Sequence, residues 1–124
     1  PQMIEAKLLV DKFIDQIVII ADQRKFVSAL IIPEYGALEK YAQANGISFT
    51  SREDLCSNGK IHQMITERIE TLQQQLAHYE QIKRFTLLPK PFTMESGELT
   101  NTLKMRRKVI NEHYKNEIEK MYAE

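Results

Sequence analysis

The segment Ser96-Gly97-Glu98-Leu99-Thr100-Asn101-Thr102-Leu103-Lys104-Met105-Arg106-Arg107-Lys108 is the chain's densest set of residues able to do chemistry. Gly97 permits a tight bend, and Thr100 or Thr102 can cap a helix that follows. Lys104, Arg106, Arg107 and Lys108 then fall in that helix's first turns. Cations at a helix N-terminus oppose the macrodipole, at roughly a few tenths of a kcal/mol each. A conflict with a local rule points to function. The matching chemistry is anion binding, by lysine and helix amides together. The same cluster also reads as a solvated basic helix face, and both readings stand at this point.

The other reactive residue types are scattered. His62, His78 and His113 lie far apart, with no pair at ligand spacing on one helix, so no metal site is expected. Cys56 is the single cysteine, which rules out an intramolecular disulfide and reads as a packed or surface thiol. Neither a dinucleotide fingerprint nor a phosphate-loop lysine occurs, and no serine sits in a nucleophile elbow. Glu67 and Glu70 read as solvated helix charges.

The elements that must position the cluster follow from periodicity. Pro1 suits a first helical turn, and Ile4, Leu8 and Leu9 carry a helix expected to end near Asp11 or Lys12. Residues 14–21 are rich in β-branched side chains and read as a strand. After the polar Asp22-Gln23-Arg24-Lys25, residues 26–32 form a second strand, stopped by Pro33. The pair predicts an antiparallel hairpin with both strands central and covered. Tyr35 to Ala44 reads as a short helix with Leu38 and Tyr41 inward, ended by Asn45-Gly46. Ser51, with Asp54 three residues on, marks another helix start. Ile61, Ile65, Ile69, Leu72, Leu76 and Tyr79 form the stripe of one long amphipathic helix. Residues 82–88 are a third strand before Pro89, and residues 90–97 form a loop. From Thr102 the helical period returns through Val109, Ile110 and Tyr114, then Ile118, Met121 and Tyr122. The fold class is α+β: a small three-stranded, mainly antiparallel sheet packed with helices, including the long amphipathic one and a C-terminal one.

Composition bounds the partners. The 124 residues suffice for one domain, 1–124, that buries roughly two-thirds of its unfolded surface. Seventeen basic and seventeen acidic residues cancel. A global grip on nucleic acid is therefore not expected, and any basic site is local. No apolar run reaches membrane-span length and no leader opens the sequence, which suggests a cytoplasmic protein. With no initiator methionine and a helical pattern from the first residues, the chain reads as a piece of a larger protein.

Three stretches then carry a family resemblance, in order and at matching spacing over nearly the whole chain. Pro1-Gln2-Met3-Ile4-Glu5 resembles the segment after the hinge of adenylate-forming enzymes. Asp15-Gln16-Ile17-Val18-Ile19 through Phe26-Val27-Ser28-Ala29-Leu30-Ile31 resembles their hairpin. Glu95 to Arg107 resembles the last core motif in the long-chain fatty acyl-CoA synthetase branch. The resemblance implies the mobile C-terminal lid of an AMP-forming ligase whose N-terminal adenylation domain lies outside this chain. It implies ATP, Mg2+ and CoA as cofactors of the intact enzyme, fatty acid as substrate, and none of these held tightly here. Peripheral contact of the intact enzyme with membrane is compatible with that reading. Much of the family places the motif's catalytic lysine directly after a Ser-Gly or Asn-Gly pair. Here Glu98 follows Ser96-Gly97, and Lys104 is the match, with Lys108 as fallback. Arg106 and Arg107 are then docking or anion contacts. The isolated chain is expected to be inactive. The rival is a non-enzymatic module using residues 104–108 on nucleic acid or acidic surfaces. Zero net charge and the lack of interleaved aromatics weigh against it.

Overall fold

A computed structural model describes residues 2–123, so the role expected for Pro1 lies outside the described residues. The chain runs α1 (Gln2–Leu8), β1 (Ile14–Ile20), β2 (Val27–Pro33), α2 (Tyr35–Ala44), α3 (Arg52–Ser57), α4 (Gly59–Leu72), a 3-10 turn at His78–Glu80, β3 (Ile82–Leu87), α5 (Arg107–His113) and α6 (Lys115–Tyr122). The class is α+β, as read.

β1 and β2 form the expected antiparallel hairpin, with Val18 opposite Leu30 and Ile20 opposite Ser28. β2 is the central strand and is buried along its whole length. β1 is an edge strand, which corrects the reading of both as central. Ile17 to Ile20 are nevertheless buried, and α1 packs against the strand. Its apolar run thus reflects coverage of both faces rather than a central place. β3 joins the other side of β2 in parallel, Ala29 pairing with Phe85, so the three-stranded sheet is mixed. Parallel neighbours need a long crossover. Residues 34–81 supply it as α2, α3 and α4, which return the chain to the end of the sheet where β2 began, so that Ile82 starts β3 beside Val27.

Local signals fix several helix ends. α2 stops at Asn45, and Gly46 takes the left-handed conformation (φ +68°) that glycine tolerates. Ser51 Oγ accepts from the Asp54 amide at 3.0 Å, and the Asp54 carboxylate accepts from the Thr50 amide at 3.0 Å. Asn58 caps α4 by accepting from the Lys60 and Ile61 amides.

Three helix limits differ from the sequence reading. α1 ends at Leu8, short of Asp11. Asp11 is buried, accepts from the Phe13 amide at 3.0 Å and pairs with Arg68 at 2.7 Å, turning the chain into β1. α4 ends at Leu72, so the stripe stops there; Leu76 is only partly buried and Tyr79 is 80% exposed. The cause is Gln73, which leaves the helix to use its side-chain amide like a strand neighbour. It accepts from the Ile82 amide at 2.8 Å and donates to the Ile82 carbonyl at 3.1 Å. Finally, the last helical region starts at Arg107 rather than Thr102 and breaks at Tyr114 into α5 and α6.

Gln73 is 5% exposed, so replacing it by alanine strands a buried peptide N–H and C=O. We expect Gln73→Ala to cost about 2 kcal/mol, read as a lower urea midpoint with unchanged slope. A loss below about 0.5 kcal/mol would mean that water replaces both bonds.

Candidate functional site

Residues 98–106 form a small hairpin rather than the start of a helix. Its legs are closed by the Arg106 amide donating to the Glu98 carbonyl at 2.8 Å and by an isolated bridge between Leu99 and Met105. The Thr100 amide donates to the Lys104 carbonyl at 2.8 Å, and Thr100 Oγ1 accepts from the Lys104 amide at 3.1 Å. Thr100 therefore braces the turn that carries Lys104; neither it nor Thr102 caps a helix. The residue at the N-cap of α5 is Arg106, with no capping side chain. Of the four cations expected in the first helical turns, only Arg107 and Lys108 are helical. Anion binding by Lys104 with the helix amides has no basis in this geometry, because Lys104 precedes the helix by three residues.

Two backbone features mark the hairpin. Gly97 has φ +81°, which suits glycine, but Leu103 has φ +62°. A leucine in the left-handed region costs about 1–2 kcal/mol, and such outliers concentrate at functional sites. Leu103 is also 66% exposed, immediately before Lys104. Lys104, Arg106 and Lys108 are exposed, and their charged groups make no hydrogen bond or ion pair among the described residues. A lysine held by its backbone with its ammonium unspent is suited to receive an anion from outside the chain.

Both legs of the hairpin end at buried carboxylates. Glu98, 4% exposed, accepts from Ser96 Oγ at 2.8 Å and pairs with His113 Nδ1 on α5 at 2.8 Å. Its negative charge adds to burial in raising the neighbouring Tyr114 phenol above its ordinary pKa. At the other leg, Arg107 grips Glu5 of α1 with both terminal nitrogens, at 2.7 and 2.6 Å. Glu5 is 6% exposed and also accepts from the Ile19 amide of β1 at 2.8 Å. Hydrogen bonding to that carboxylate holds the Arg107 guanidinium above its usual pKa, against the opposing effect of burial. Of the two arginines assigned to docking or anion contact, Arg106 is exposed with no side-chain partner among the described residues, and Arg107 is committed to Glu5.

The remaining reactive groups stay apart. His62 stacks on Phe85 with ring centroids 4.2 Å apart, while His113 belongs to the Glu98 pair. Among the described residues, no three His, Cys, Asp or Glu side chains gather where they can hold a metal ion. Cys56 lies half-buried against Tyr35, Sγ to hydroxyl 2.8 Å, and burial pushes its thiol pKa up, away from the reactive thiolate. An open groove beside β3, lined by Phe26, His62, Tyr79 and Arg84 among others, includes none of residues 104–108.

Glu5 and Glu98 are not singled out by residue type or spacing in the sequence. A carboxylate next to Ile4 and one turn before Leu8, on the apolar side of α1, was the available signal for Glu5.

Comparison with known proteins places this geometry in context. A family model described as the AMP-binding enzyme C-terminal domain matches residues 1–124. A long-chain-fatty-acid–CoA ligase, FadD15 of Mycobacterium tuberculosis, is 32% identical over 98% of this chain and 20% of its own length. Long chain acyl-CoA synthetase 8 of Arabidopsis thaliana is 33% identical over 97% of this chain and 17% of its own. The crystal structure of the adenylation domain of a carboxylate reductase from Mycobacterium chelonae superposes with a TM-score of 0.79. It is 25% identical, over 99% of this chain and 18% of that one. The chain thus spans about a fifth of the length of the curated relatives it matches.

Proposed function

The chain belongs to the AMP-binding enzyme C-terminal domain family, and from there we propose that it is the mobile C-terminal domain of an ATP-dependent long-chain fatty acid:CoA ligase. In the first step of that reaction the fatty acid carboxylate attacks the α-phosphate of ATP, giving acyl-adenylate and pyrophosphate. In the second the CoA thiol displaces AMP. Both steps need the N-terminal adenylation domain as partner, and this domain swings over it. Residues 1–124 act as one unit in that motion.

Lys104 is the catalytic residue we assign. Two anions meet in the first step, and their repulsion is a large part of the barrier. An ammonium placed between the carboxylate and the α-phosphate oxygens neutralises that charge as it develops and orients both groups. The observation that carries this reading is the braced hairpin: Lys104 has a fixed backbone, an exposed side chain and no partner for its ammonium among the described residues. Lys108 remains the fallback, and Arg106 is a docking or anion contact. No described residues gather as a metal site, so we assign the Mg2+ of the first step to the rest of the enzyme and route no step through it here. ATP and CoA are likewise bound mainly elsewhere.

No helix among the described residues is long and apolar enough to cross a membrane. We place the intact enzyme in the cytoplasm, with any membrane contact peripheral. The nucleic-acid reading is not favoured by any observation. Its basic helix is reduced to Arg107 and Lys108, and Arg107 is tied to Glu5.

The isolated chain is expected to fold without ligase activity and without micromolar affinity for ATP. Calorimetric titration with ATP and Mg2+ checks this. Micromolar binding would contradict the lid reading, because it requires a nucleotide pocket within the chain itself.

A further inference from the structure

We infer that Glu5 is a positioning residue for Lys104, acting through Arg107. The inference rests on the assignment of Lys104 above and extends it to a residue 99 positions earlier in the chain.

A carboxylate at 6% exposure is an expensive choice for packing α1 on the domain. Taking a carboxylate and a guanidinium out of water costs about as much as their attraction returns, and apolar side chains of similar size often pack there with equal or greater stability. What an apolar contact cannot supply is direction. The fork of Arg107 meets both oxygens of Glu5, at 2.7 and 2.6 Å, and two parallel bonds fix orientation as well as distance. Glu5 is itself fixed from behind, because the Ile19 amide donates to Oε2 at 2.8 Å. The sheet therefore holds Glu5, Glu5 holds Arg107, and Arg107 directly follows the second leg of the Lys104 hairpin.

The first leg is already fixed. Glu98 holds Ser96 and His113, and its carbonyl accepts from the Arg106 amide at 2.8 Å. Apart from Arg107, the second leg is held by its bonds to the first leg and by the half-buried Met105, neither of which fixes direction, so without the Glu5 grip the paired legs can tilt together. A strained Leu103 (φ +62°) gives the turn a reason to relax once it is released. A lysine side chain delivered about 1 Å off target loses much of its effect on a reacting pair.

The test is a double-mutant cycle in the intact enzyme. Glu5→Gln keeps the side chain's shape and one acceptor but removes the charge and the two-oxygen grip. The expected result is adenylate formation slowed roughly tenfold to a hundredfold. Thioester formation from pre-formed acyl-adenylate and CoA should stay within about twofold of wild type. In a Lys104→Ala background, Glu5→Gln should slow adenylate formation no further, because the group it positions is gone. Arg107→Lys, which keeps the charge but loses the planar fork, should show the same pattern more weakly, and it carries the test if Glu5→Gln does not fold. Equal losses in both half-reactions, or the same loss with and without Lys104, would make the pair a structural contact and overturn the inference. Unchanged adenylate formation in both variants would do the same. Failure of the Lys104 assignment is read separately, from Lys104→Ala alone: if that variant is fully active, the assignment fails and Glu5 has nothing to position.

Discussion

Lys104→Ala in the intact enzyme should slow formation of acyl-adenylate from fatty acid and ATP by about a hundredfold to a thousandfold. That is the usual consequence of losing one preorganised charge at a reacting centre. The loss should appear in the rate constant more than in substrate binding, since the ammonium acts on charge that develops during attack. Stability should stay within about 0.5 kcal/mol of wild type, because Lys104 is exposed and its ammonium is unpaired among the described residues. Single-turnover kinetics alongside a thermal melt separates the two. If Lys104→Ala retains its rate and Lys108→Ala loses it, the assignment moves four residues along, onto α5.

Leu30→Ala should have the largest effect on the fold itself. Leu30 is fully buried at the middle of the central strand, between Val18 on one side and Thr86 on the other. Truncation removes apolar burial and leaves a cavity that a strand hydrogen-bonded on both edges cannot easily close. The expected cost is about 2–5 kcal/mol. For a domain whose total stability is on the order of 5–15 kcal/mol, that is a large fraction. Urea denaturation of the chain measures it. A loss under about 1 kcal/mol would mean that the sheet collapses around the gap, contrary to the rigid central position of β2.

What could be read from the sequence was set by how locally each feature is determined. The β1–β2 hairpin, α2 with its Asn45-Gly46 stop, and the Ser51 cap all depend on residues within a few positions of one another. The structure has them where the pattern puts them. The end of α4 does not work that way. The apolar stripe continues past Leu72, and only the bonds of Gln73 to Ile82, nine residues on, break the helix. The parallel placement of β3 depends likewise on where the three-helix crossover delivers the chain.

The site shows the same division. Residue types singled out Lys104, Arg106, Arg107 and Lys108, and the family resemblance chose among them. Their setting is not legible in the sequence, because helical periodicity from Thr102 onward hides a turn that puts Leu103 in the left-handed region. The Glu5–Arg107 pair spans 102 positions, and no local pattern announces it. Its only trace is a carboxylate where α1 should be apolar. The Glu98–His113 pair, 15 positions apart, was hidden in the same way.

We propose that this domain contributes one lysine to one half of a two-step reaction. The most direct measurement gives the Lys104→Ala enzyme pre-formed acyl-adenylate with CoA, and separately fatty acid with ATP, and compares the two rates with wild type. Near-normal thioester formation from the adenylate is expected beside a loss of about a hundredfold or more in making it. Equal loss in both reactions, or loss in neither, would contradict that proposal.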